Sequence, residues 1–412
     1  MERVGFFLYL LFIASWFLRL TARLPALGAV RFDLLLLCCI LFIFLVFIDK
    51  KEIKGQKNPV YTRLLLLFVV ILFLIPFCEW PGTVLNTGLQ NFVKAIVFFF
   101  FTVWYVRTED RVKALMVTFL SCQAVRVLEP LYLHLTQGYW GDRAYTGSSG
   151  EFMNRLSGGP YDIINPNGLA FVVLTIIPFL LYFYRQGLFW KLFSLIVGPA
   201  ALYTLYLTGS RSGVLGLGFI FMVFVLQSKN KFLALIPVAA LVIFALANVQ
   251  GDFKDRYLSI VSNEAAHAGT AHGRLDGVLE DFKVGLRKPV AGHGLGTSLE
   301  ANANFRGNPQ VSHNLYVEVF QEIGGIGLLL FLSFIVRIFK NLRASATMAH
   351  GFLAQLRQGA LIFAAMNVFF GLASYGLSSY EWYLLAAWSV IVYEQTHAVD
   401  GPSIAGKGLR AV

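Results

Sequence analysis

Stretches long enough to cross a bilayer recur along almost the whole of this chain, and a soluble fold has no way to bury so many of them. A membrane-spanning helix needs about 17–25 mostly apolar residues. Runs of that kind lie near 5–22, 32–48, 64–80, 84–106, 112–133, 167–184, 190–208, 212–228, 231–249, 315–338, 353–375 and 378–395. They predict an all-α polytopic membrane protein of about 12 transmembrane helices, with two long outward-facing loops that contain short helices. The 412 residues read as a single integral-membrane domain, 1–412, whose first long loop is 134–166 and whose second, larger loop is 250–314. A content of 57% hydrophobic against 14% charged residues leaves no room for a soluble domain of this length. No internal repeat marks the two halves of a transporter. The first apolar run has no small-residue cleavage site after it and is closed by Arg19 and Arg23, so it reads as a retained helix.

The net charge of +11 would suggest nucleic acid in a soluble protein. Here the basic residues flank apolar runs on alternate sides, so they set topology and no nucleic-acid partner is expected. Lys50, Lys51, Lys54, Lys57 and Arg63 follow the second run, and Arg107, Arg111 and Lys113 follow the fourth. Arg185, Lys191, Lys229, Lys231, Arg337, Lys340, Arg343, Arg357, Lys407 and Arg410 fall on the same side if the count is twelve. Both termini are then cytoplasmic and the two long loops face outward. The four cysteines, Cys38, Cys39, Cys78 and Cys122, all lie within apolar runs and are expected to pack in the core.

The exceptions to this charge pattern are the candidate site residues. Arg19, Arg23 and Arg31 sit around the first outward loop, Lys94 and Arg126 lie inside spans towards their outer ends, and Arg211 occupies the short outward turn TGSRSG. A basic group at membrane depth costs about 2.5–3.5 kcal/mol on insertion scales and needs a partner. For Arg126 the local partner is Glu129, three residues on; for Arg19 and Arg23 it is the lipid headgroups. Arg211 has no carboxylate nearby in sequence, which favours an external anion. The first long loop, with Asp142, Arg143, Glu151, Arg155 and Asp162 among Gly, Ser, Tyr and Asn, suits sugar hydroxyls and is also ordinary loop composition. Asn165-Pro166-Asn167 ends it and starts the sixth helix. The second loop contains an amphipathic helix near 272–287, with Leu275, Val278, Leu279, Phe282 and Leu286 on one stripe that suits a membrane interface. Pro289 stops it, and the GHGLG of Gly292–Gly296 predicts a tight turn with its N–H groups facing outward. His267, His272, His293 and His313 match no known metal-ligand spacing, and no metal or cofactor is expected.

His313 stands where this loop meets the next apolar run, in HNLYVEVFQEIGGIG. Helical spacing places Glu318 and Glu322 on one face, able to orient the imidazole only if the helix start bends back, and Asn314 is the nearer polar neighbour. Three features together resemble the bacterial O-antigen ligases and the wider O-antigen ligase/polymerase superfamily. His313-Asn314, nine residues, Gly324, two residues and Gly327 match the ligase spacing. Arg211, three residues and Leu215 match the family's arginine element at an outward turn. Arg274 through Pro289 to GHGLG looks like its arginine-bearing outer helix and Gly-rich turn.

The resemblance implies a multi-pass protein of the bacterial cell inner membrane that matures lipopolysaccharide. It would act as an inverting, metal-independent glycosyltransferase. Its substrates would be a glycan on undecaprenyl diphosphate and a sugar hydroxyl of lipid A–core, met among membrane lipids on the periplasmic face. An O-antigen polymerase or a protein O-oligosaccharyltransferase using the same lipid-linked donor is the alternative, and a polyisoprenoid or polysaccharide transporter a more distant one. In this chemistry the diphosphate leaving group needs cations, and arginine holds phosphate oxygens with a fixed fork of donors. Arg211 and Arg274 are the first candidates, with Arg19, Arg23, Arg126, Lys94 and Asn314 as substrate-binding residues. His313 would take the proton of the acceptor hydroxyl.

Overall fold

The computed structural model describes residues 1–47, 57–141, 143–145, 152–232, 269–345, 351–374 and 376–399. The expected ninth span, 231–249, lies outside these residues apart from its first two. We label the main helices α1 Glu2–Leu18, α2 Phe32–Phe47, α3 Pro59–Leu74, α4 Leu89–Tyr105, α5 Glu109–Gln137, α6 Pro166–Phe183, α7 Leu188–Leu207, α8 Arg211–Gln227, α9 Gly269–Gly285, α10 Ser298–Arg306, α11 Leu315–Ala344, α12 Phe352–Phe370 and α13 Tyr380–Val399. Among the described residues seven helices are long and apolar enough to cross a membrane, and α2 and α8 are shorter apolar helices. A two-stranded antiparallel ribbon pairs Arg143–Tyr145 with Phe152–Asn154 in the first long loop.

The helices begin where polar side chains replace the missing backbone partners. Asn58 accepts from Val60 N at the start of α3, Asn165 from Gly168 N at α6, and Ser210 from Gly213 N at α8. Pro59 and Pro166 occupy first-turn positions, where their missing N–H costs nothing. The core is aromatic: Trp388 of α13 packs edge-on against Phe119 of α5 and Phe179 of α6. Polar groups within it are bonded: Tyr9 meets Thr102 Oγ1 at 2.5 Å, and Tyr105 donates to Ile40 O at 2.6 Å. Phe42, Leu45 and Phe47 of α2 and Phe73 of α3 point outward, as a lipid-facing surface requires. Of the cysteines only Cys122 is buried; Cys38 and Cys39 are exposed on α2, so the expectation of core packing fails for them.

The two ends of the bundle differ. At one end Glu2 pairs with Arg111 and lies 3.9 Å from Arg107, and Lys113 sits over the Phe352 ring. Arg357 reaches Leu342 O at that same end. At the other end α1, α5 and α12 finish, and α6, α8, α11 and α13 start. The short basic loops and the long loops therefore sit apart, as alternation of the spans demands.

Candidate functional site

A cavity of about 350 Å³ opens at the end that bears the long loops. Its walls come from Trp16 and Arg19 of α1's end, Arg126 of α5, Asp162 of the first long loop, and the stretch from Gly371 to Trp382. That stretch is a nine-residue gap between α12 and α13, where the apolar runs predicted almost none. Leu372, Ala373 and Leu377 keep its hydropathy high, while Gly371, Gly376 and three serines break the helix. It is the part of the site that sequence reading missed, along with Asp162 as a partner and Glu381 in the cavity wall.

The segment of His313 holds this gap in place. Leu315 N donates to Gly371 O at 2.8 Å, and Asn314 Nδ2 donates to Leu372 O at 3.2 Å. The other end of the Asn314 amide caps α11, accepting from Tyr316 N and Val317 N. Asn314 thus spends its side chain on structure. One turn on, Glu318 accepts from Gly376 N at 2.7 Å.

The cations of the cavity are unequal. Arg126 is almost fully buried and does not pair with Glu129 as its i,i+3 spacing predicted. Its Nε donates to Asp162 at 2.6 Å, with further bonds to Gln123 and Tyr380. Removing one member of a buried pair of this kind costs about 3–5 kcal/mol, because the other charge stays buried alone. Glu129 is taken instead by a two-pronged contact from Arg23, whose Nε also donates to Leu18 O at 2.6 Å. Arg23 therefore does not snorkel to headgroups, and the bond to Glu129 holds its pKa above the usual guanidinium value. Arg19 lines the cavity, is exposed, and among the described residues no hydrogen bond or ion pair engages its side chain. Its backbone is left-handed, φ 54°, which an L side chain adopts at a cost and which recurs at functional sites. Lys94 lines a neighbouring cavity.

Arg211 is the first residue of α8, above the cap at Ser210. Helix α8 packs along α6 and α12, with Phe219 stacked on Phe369 at 4.5 Å between centroids. Its turn is braced by the first long loop: Arg155 Nε donates to Thr208 O at 2.7 Å, and Leu156 N donates to Leu207 O. Arg211 at the start of α8 and His313 just before α11 thus belong to the two segments that pack on α12, although neither lines the cavity itself. Arg274 lies near the start of α9, and its side chain falls outside the described residues.

The remaining part of the motif is architectural. Helix α11 breaks at Gly324, φ 66°, where a Cβ would sit inside the Val290 carbonyl oxygen. The Pro289–Gly296 turn docks in this break. Gly325 N donates to Pro289 O, His293 N to Gln321 O, Gly294 N to Glu322 O, and Gly296 N to the Glu322 carboxylate. The turn's N–H groups therefore face α11 and not outward, because the broken helix leaves carbonyls and a carboxylate that need donors. Both carboxylates of the Glu318/Glu322 pair grip loops. His293 is fully buried, with one ring nitrogen on Glu79 and the other on Val284 O. Burial alone would raise the Glu79 carboxyl, but His293 and Lys288 hold it below the usual carboxylate range. His267 lies outside the described residues, as does the side chain of His272. Leu279 and Phe282 of α9 and Leu286 just beyond it are exposed, with Phe282 also stacked on Phe320 of α11.

Residues 196–332 match the family described as O-antigen ligase. The match runs from α7 into α11 and contains Arg211, Arg274, His313, Gly324 and Gly327. No curated protein matches the chain. With its apolar helices the chain is a multi-pass membrane protein, and its match to the O-antigen ligase domain over residues 196–332 gives it the character of a glycosyltransferase.

Proposed function

We propose that the chain moves an O-antigen glycan from undecaprenyl diphosphate to a sugar hydroxyl of lipid A–core, on the periplasmic face of the bacterial inner membrane. The observation that carries this is the cavity of about 350 Å³ at the long-loop end, walled by arginines and by the gap that the His313 segment pins. Its volume suits a sugar or diphosphate head, with the lipid tail left in the bilayer. His313 takes the proton from the acceptor hydroxyl. The freed oxygen attacks the anomeric carbon from the face opposite the diphosphate, and the undecaprenyl diphosphate leaves with the bonding electrons, so configuration inverts. Arg211 and Arg274 hold the diphosphate, and Arg19 offers a further cation from the cavity wall; each well-placed donor to the growing charge is worth about 3–4 kcal/mol. Arg126, answered by Asp162, acts as a fixed wall of the cavity.

The clamp is tested by Arg211→Lys, which keeps the charge and loses the fork. Transfer should fall by at least about a hundredfold, as for loss of one preorganised donor, with the protein still inserted. Arg274→Ala should behave alike. Near-normal transfer by both would move the clamp elsewhere, with Arg19 the first place to look. Wild-type transfer should persist in excess EDTA, because arginines take the place of a divalent cation at the diphosphate; loss in EDTA and recovery on adding metal would contradict that.

Cytoplasmic termini follow from the basic loops. In a background lacking Cys38, Cys39, Cys78 and Cys122, a cysteine placed at Gly307 should react with an impermeant thiol reagent applied from the periplasm. Reaction only after the inner membrane is broken would invert the topology.

A further inference from the structure

A second cavity, of about 340 Å³, lies beside the first and shares Trp16, Gly376, Ser378, Ser379 and Tyr380 with it. The two differ in charge. The first has carboxylates in its wall, Asp162 and Glu381. The second is lined by Lys94 and Asn91 with the shared serines and rings, and no carboxylate lines it among the described residues. Asn91 and Lys94, one turn apart, share a face of α4, and both are exposed. No hydrogen bond or ion pair engages Lys94 among the described residues. Val93, next to it in α4, is 37% exposed and apolar, so this part of a candidate membrane span is not covered by other helices among the described residues, and an uncovered apolar side chain there meets lipid. An unanswered cation in such a place is costly and marks a ligand path.

We propose that this second cavity holds the phosphate-bearing sugar head of a membrane glycolipid, and that it is the site at which the acceptor enters. The assignment to the acceptor rests on the transferase function proposed above. A lysine ammonium is a compact point charge that binds a phosphate without fixing its orientation, whereas a diphosphate clamp calls for arginine forks. The Asn91 amide and the two serine hydroxyls supply donors and acceptors for sugar hydroxyls. The volume admits a sugar phosphate while the acyl chains stay in the bilayer. Two lipid-anchored reactants must be held at once with their reacting atoms about 3–3.5 Å apart. Two adjoining cavities that share Trp16 and the Gly376–Tyr380 stretch as a common wall meet that need. An ordinary phospholipid carries the same phosphate, so the measurement must separate the two sources.

The test uses the full chain in phosphatidylcholine nanodiscs, titrated with bisphosphorylated lipid A, with phosphatidylglycerol or with undecaprenyl diphosphate. Lys94→Leu should insert readily, since leucine is favoured in an apolar helix. Lipid A should bind the wild type and bind Lys94→Leu about fivefold more weakly, the effect of one basic residue near a membrane surface. Lys94→Arg should restore most of that binding. Undecaprenyl diphosphate should bind wild type and Lys94→Leu equally, and in transfer assays the acceptor KM should rise with kcat unchanged. Phosphatidylglycerol binding as tightly as lipid A would overturn the acceptor assignment. So would equal lipid A affinity in wild type and Lys94→Leu, or a loss of undecaprenyl diphosphate binding in the variant. Because binding needs no turnover, failure here is distinguishable from failure of the transferase function, which would appear as no product from wild-type protein that binds both lipids.

Discussion

Replacing His313 by glutamine should lower glycan transfer by about 10²–10⁴-fold, the usual worth of a positioned general base. The amide keeps a hydrogen bond but cannot accept a proton. His313→Ala should fail equally, and neither change should weaken donor binding, because the diphosphate is assigned to arginine. Packing alone would not predict this pattern. The backbone here is held from outside the His313 ring: Asn314 caps α11 and bonds Leu372 O, and Leu315 N bonds Gly371 O. A glutamine at 313 leaves those bonds in place. The wild-type rate should rise with pH as the imidazole loses its proton and gains the lone pair that a base needs. Near-wild-type transfer by His313→Gln, measured with saturating donor, would reduce the residue to a hydrogen-bonding part.

Gly324→Ala should leave little correctly assembled protein in the membrane. The backbone there, φ 66° and ψ −171°, is essentially reserved for glycine, which alone costs a side-chain-bearing residue about 1–3 kcal/mol. The added methyl would also overlap the backbone of Val290 and Ala291, which cannot rotate away as a side chain can. Moving that backbone would pull Pro289 O from Gly325 N, and His293 N and Gly294 N from α11. Several such losses sum to well over about 4 kcal/mol, in the range that unfolds marginal proteins. Gly325→Ala is the control: its Cβ would meet only Pro289 O, at 3.2 Å, and should be tolerated. Yield of monodisperse protein and its thermal midpoint in detergent would separate the two. Equal behaviour would mean that the docked turn does not hold α11 together.

The helices were legible because a bilayer leaves so few ways to satisfy a backbone, and because Asn165-Pro166 marks where α6 begins; the start of α3 at Pro59 was placed five residues too late. The His313–Gly327 spacing was legible as a pattern, but its cause was not. Gly324 is required by a turn more than thirty residues upstream of it, which local periodicity cannot reveal. Arg126 shows the same limit. Its near neighbour Glu129 was the reasonable partner, yet Arg23, over a hundred residues away, takes Glu129, and Asp162 answers Arg126. Long-range packing decides among equal local offers. The α12–α13 gap escaped notice because leucines and alanine hide its glycines and serines inside an apolar stretch. Arg19 and Arg126, singled out by their charge at the outer end of spans, line one cavity. The same criterion gave Arg23, which is engaged with Glu129.

Reconstituted transfer tests the central claim most directly. Wild-type protein in nanodiscs would be given purified undecaprenyl diphosphate-linked glycan and lipid A–core in EDTA, and the products weighed by mass spectrometry. The account predicts a species heavier than lipid A–core by the glycan, with release of undecaprenyl diphosphate, and no such species with Arg211→Lys or His313→Gln. Bound donor and acceptor that remain unjoined in the wild type, or lengthening of the lipid-linked glycan with lipid A–core untouched, would contradict it.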